Sequence, residues 1–96
     1  MSTFRFENKS TDKSWMARIV KQGDKYGLNN CLTHDKPDSL VEFYDTSNGE
    51  QFVSRYYVET ILGIDDGVGL MLYGGSPQWN LDGKSVDSVK NWLKSI

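Results

Sequence analysis

Any chemistry in this chain of 96 residues must come from the few side chains able to act as nucleophile, base or ligand. One cysteine and one histidine, Cys31 and His34, make the sole thiol–imidazole pair. Nucleophilic catalysis needs them within hydrogen-bond reach, with a third group orienting the base. On an extended strand, residues three apart point to opposite faces, so spacing alone does not bring these two together. Cys31 reads better as a small core residue, and His34 as a loop residue bonded to Asp35 or Asp38. His34, Asp35 and Asp38 also put three nitrogen or oxygen ligands within five residues, and Asp65-Asp66 would add carboxylates. No HExxH or EF-hand spacing is present, and turn-forming aspartate accounts for each one. Gly67-Val68-Gly69 and Gly74-Gly75 lack a dinucleotide fingerprint or a following Gly-Lys-Ser/Thr, so both read as turns. The expectation is a protein that is not an enzyme, with no cofactor and no metal.

Binding is the remaining kind of function. Phe43, Tyr44, Tyr73 and Trp79 could stack bases from a sheet. A sequence pI of about 5.2 and the lack of a Lys/Arg stripe oppose direct nucleic-acid binding, and core packing is the better reading. Net charge is only −2 but is unevenly spread. Residues 35–66 hold eight acids (Asp35, Asp38, Glu42, Asp45, Glu50, Glu59, Asp65, Asp66) against Lys36 and Arg55, which is −6 and leaves +4 elsewhere. Such asymmetry can set a negative field toward a basic partner, although ordinary solvated charge gives the same count. The expected protein-binding residues are Asp35, Asp38, Asp65 and Asp66 as an acidic rim, with Arg55, Tyr57 and Tyr73 as anchors, since Tyr and Arg commonly carry interface energy.

These residues need elements to position them. Residues 3–7 alternate apolar and polar and read as a first strand; 15–21 and 26–33 read as a hairpin turning at Gly23. Leu40 to Tyr44 reads as a central fourth strand, apolar on both faces. Residues 47–63 read as a long central helix: Ser47 and Glu50 have capping-box spacing. Phe52, Val53, Tyr56, Tyr57, Thr60 and Ile61 fall on one arc. Gly63 supplies a left-handed stop. A strand is the competing reading, because Phe, Val, Tyr, Thr and Ile favour strands. Strands follow at 69–73 and 78–81. Ser85 then caps a terminal helix whose Val86, Val89, Trp92, Leu93 and Ile96 form one stripe, with Lys90, Asn91, Lys94 and Ser95 facing away.

The fold class expected is α+β: one compact domain over residues 1–96. It has an antiparallel sheet of about five to six strands and a central and a C-terminal helix packed on one face. With 38% hydrophobic and 25% charged residues, the chain suits one ordinary core. A single cysteine excludes an intrachain disulfide and fits a reducing compartment. No apolar run approaches the roughly 20 residues that span a bilayer, and the first residues do not resemble a secretory signal. A cytoplasmic location without membrane association follows as the expectation.

Three stretches carry a resemblance: Asn30 to Lys36 leading into Leu40 to Asp45; Gln51 to Tyr57; and Gly69 to Trp79, which contains Gly74-Gly75-Ser76-Pro77. Together they resemble a family of small uncharacterised proteins found in phages, prophages and plasmids, over most of residues 15–93. The resemblance brings no catalytic motif. It implies a setting in which small acidic proteins, anti-CRISPR proteins among them, bind and block host defence or control proteins. The expected function is therefore a non-enzymatic inhibitor that covers a basic, nucleic-acid-binding host complex with an acidic surface. The alternative is a structural or assembly protein that self-associates, as a homodimer, through a sheet edge.

Overall fold

The computed structural model describes residues 3–8, 12–20, 40–72 and 80–95. Four strands, β1 (Thr3–Asn8), β2 (Lys13–Val20), β3 (Leu40–Asp45) and β4 (Gln51–Tyr57), form an antiparallel sheet in sequential order. A short helix α1 (Val58–Leu62) continues β4. Then come β5 (Leu70–Met71), β6 (Asn80–Leu81) and the long helix α2 (Gly83–Ser95). β5 and β6 pair with each other, Leu70 opposite Leu81, as a separate two-stranded sheet. The expected sheet of five to six strands is thus, among the described residues, one of four and one of two. The α+β class holds, and both helices bury side chains in the core shared with the inner face of the larger sheet.

The long central helix is corrected. Residues 51–57 are strand, and only Val58 to Leu62 are helical. A β-bulge explains why the pattern looks helical. Phe43 pairs with Ser54 but Tyr44 pairs with Phe52, so β4 carries one extra residue there. The bulge turns the strand's period of two into a spacing of three. Phe52 and Arg55 contact Tyr44 and Glu42 on the outer face, while Val53 and Tyr56 pack into the core. That spacing is also one turn of a helix. The N-terminal punctuation is corrected with it. The Ser47 N–H donates to Asp45 at 2.9 Å, and Gly49 has φ +82° in the β3–β4 turn. Gly63 does cap a helix, the short α1, but in a right-handed conformation at φ −83° and not the left-handed one expected.

The expected partner of β2, residues 26–33, lies outside the described residues; over Trp15–Arg18 both edges of β2 are taken by β1 and β3. The inner face gathers Trp15, Ala17, Ile19, Val41, Phe43 and Val53. Over them pack Val86, Val89 and Leu93 of α2, Val58 and Ile61 of α1, and Leu72 and Leu81. Three rings extend this layer along β1, with Phe4 stacked on Phe6 at 5.6 Å and on Trp92 at 5.4 Å.

Two further expectations about α2 change. Its N-cap is Asp82, whose carboxylate accepts the Ser85 N–H at 2.8 Å; the Ser85 hydroxyl donates instead to the Glu7 carbonyl. Lys90 does not face away but is only 5% exposed. Fully buried Asn8 locks β1 to this end of the molecule, donating to the Asn80 carbonyl and accepting the Asp82 N–H.

Candidate protein-interaction surface

The expected site residues divide between two surfaces. Arg55 and Tyr57 belong to the outer face of the larger sheet, away from the helices. There Glu42, 3% exposed, accepts from Arg18 Nη2 at 3.0 Å, Tyr44 Oη at 2.8 Å, and Arg55 Nε and Nη2 at 3.2 and 3.1 Å. Arg18 also donates to the Tyr44 hydroxyl, and both guanidiniums cover rings, Arg18 over Tyr44 and Arg55 over Phe52. This is a charged network that fills its own hydrogen-bonding capacity at the carboxylate. Arg55 works here as a structural partner of Glu42. Tyr57 is half-buried opposite Leu40.

Asp65 and Asp66 lie elsewhere, on the connection from α1 to β5. Asp35, Asp38 and Tyr73 lie outside the described residues, as do Cys31, His34 and Trp79. Of the base-stacking candidates, Phe43 is fully buried in the core.

The α1–β5 connection is held at many points. Gly63 N–H donates to Glu59 and Ile64 N–H to Ile61, so the helix end unwinds in a tight turn. Ile64 packs against the core. Lys90 of α2 reaches across to donate its ammonium to the Ile64 carbonyl and to Asp66 Oδ1, the latter at 2.9 Å. Asp65 accepts the Val68 N–H at 3.1 Å. Gly67 adopts φ +82°, where glycine is strain-free, and its N–H points to Asp87 at 3.4 Å. Gly83 comes so close that a Cβ there would stand 2.1 Å from the Gly67 carbonyl oxygen. Tyr56 then donates to the Met71 carbonyl at 3.0 Å.

On this pinned backbone the side chains of Asp65, Asp66, Val68 and Met71 point to solvent. Val68 is 51% exposed, Met71 52%, and the Asp66 side chain 90%. Residues 58–72 hold three acids (Glu59, Asp65, Asp66) and no base; Lys90 brings the local sum to −2. The Lys90 hydrogen bond and charge hold the Asp66 carboxyl below its ordinary value, so it is ionised at neutral pH. Beside Met71 runs an open groove of about 430 Å³ along β5 and β6.

Sequence reading found the acids here but missed Val68, Met71 and Lys90. Lys90 was findable: it lies four residues after Val86 and three before Leu93, on the buried stripe of α2. Val68 and Met71 carried no comparable signal. Compared with family models, curated proteins and solved structures, the chain matches none.

Proposed function

We propose that this is a non-enzymatic protein-binding module whose interface is the α1–β5 connection with Asp65, Asp66, Val68 and Met71. One observation carries the reading: two of the three exposed large apolar side chains among the described residues, Val68 and Met71, share the stretch 65–71 with exposed Asp65 and Asp66, on a backbone already fixed by Lys90, Asp87 and Tyr56. Prefixed interfaces lose less conformational freedom on association. Apolar anchors with a charged rim are the usual anatomy of a specific contact. The partner that fits is a basic surface, and with the resemblance to mobile-element proteins this supports inhibition of a host nucleic-acid-binding defence complex in the cytoplasm.

The test is affinity capture from the native host's lysate with wild type and the Asp65→Lys/Val68→Asp variant. Asp66 is left intact because it braces Lys90. A partner of basic surface captured stoichiometrically by wild type and lost by the variant is the expected result. Equal capture by both would place the interface elsewhere.

Self-association through a sheet edge is the second reading. Among the described residues β4 has a strand neighbour on one side only, and its Phe52 is 46% exposed. A concentration-independent monomer in analytical ultracentrifugation would contradict it.

A further inference from the structure

The groove beside the proposed interface has its own chemistry. It is lined by Leu70, Met71 and Leu81, the bare backbone of Gly69 and Gly83, and the polar Asn80 and Asp82. Its apolar lining includes exposed Met71, and the connection that carries Asp65 and Asp66 reaches it at Gly69. The wall at Gly69 admits no side chain, since a Cβ would lie 2.6 Å from the Leu81 carbonyl oxygen. Asp82 is already engaged as the cap of α2. The groove therefore offers apolar contact from Leu70 and Met71, and the chain that enters it at Gly69 carries Asp65 and Asp66 three to four residues before.

We infer that this groove seats an apolar side chain of a basic partner segment, with neighbouring Lys or Arg side chains lying against Asp65 and Asp66. The inference rests on the protein-binding reading and names the chemistry of the segment bound. Charge complementarity selects the cationic segment, and burial of apolar surface adds the affinity that charge at an exposed site does not supply. A purely basic tail would satisfy the acids but leave the groove empty. An acidic or neutral apolar segment would meet like or uncompensated charge at the rim.

Titration of the full ¹⁵N-labelled chain with three synthetic peptides separates these cases: a short lysine-rich peptide with one leucine, the same peptide with serine for leucine, and the same with glutamate for lysine. The expected result is that the first peptide shifts the Gly69, Leu81 and Gly83 amides and binds about tenfold more tightly than the serine form, as burial of one leucine side chain would give. Equal affinity of the leucine and serine peptides, with shifts confined to Asp65–Val68, would overturn the groove while leaving the protein-binding surface standing. Equal binding of the glutamate peptide would overturn the charge selection. Shifts at neither place, with any peptide, would overturn the groove and remove support from the surface as well.

Discussion

Glu42 shows how a single buried charge is made tolerable. Two arginines from neighbouring strands and a tyrosine hydroxyl supply four hydrogen bonds to its carboxylate. Replacing it by alanine leaves Arg18 and Arg55 facing each other with no anion between them. We expect Glu42→Ala to cost on the order of 3 kcal/mol, less than for a fully enclosed pair because both guanidiniums are about a third exposed. An unchanged urea midpoint would contradict this. Asp45 is a second instance. Burial works against its charge, but hydrogen bonds from Ser47 and the Lys13 ammonium outweigh it and hold the carboxyl below the usual aspartate value. A carboxyl depressed in the folded state contributes stability above its unfolded value and loses it as pH falls through the folded one. Stability should therefore drop as pH falls below about 4, and Lys13→Met should lose less between pH 7 and pH 3 than wild type does. Matching urea midpoints of the two proteins at both pH values would refute that. None of this network was legible in the sequence, where Glu42 and Asp45 counted only as members of an acidic run.

At the scale of elements, most of the fold was readable and the failures have physical causes. β1, β2 and β3 follow from period-two alternation and apolar runs, and α2 from its apolar stripe. β4 was misread because its bulge reproduces helical spacing, and because Ser47 and Glu50 imitate a capping box; Gly63 does end a helix, but the short α1 and not one running from residue 47. Only the cross-strand partners, Tyr44 for Phe52 and Glu42 for Arg55, decide between strand and helix, and these are not local in sequence. Close approach of elements gives a sharper test. Gly83→Ala would drive a methyl group into the Gly67 carbonyl, so it should destabilise by about 1–3 kcal/mol, the usual cost of overpacking. An unaltered melting temperature would show that the α1–β5 connection is looser than described. Removal of residues 92–96 takes away Trp92, stacked on Phe4, and buried Leu93, and should leave the domain unfolded. A truncated chain with an unchanged melting temperature would refute this.

Over the whole molecule, the −6 of residues 35–66 is largely cancelled where the structure describes it. Glu42 meets Arg18 and Arg55, Asp45 meets Lys13, Glu50 approaches Arg5, and Asp66 meets Lys90. Four of those cations come from outside the segment, so a charge count along the chain overstates the field in space. What persists is local: Asp65, next to the Lys90-paired carboxylate of Asp66 and the exposed Val68. Asp65 and Asp66 were named from sequence, but their apolar neighbours and the Lys90 brace emerge only when α2 is folded back against the α1–β5 connection. The central claim, that this connection rather than the outer sheet face binds a protein partner, is tested most directly by comparing three proteins in one capture experiment. Wild type and Phe52→Ala should retain the same partner, and Asp65→Lys/Val68→Asp should lose it while melting at the wild-type temperature. Loss of the partner by Phe52→Ala, with retention by Asp65→Lys/Val68→Asp, would contradict the account and move the interface to the sheet.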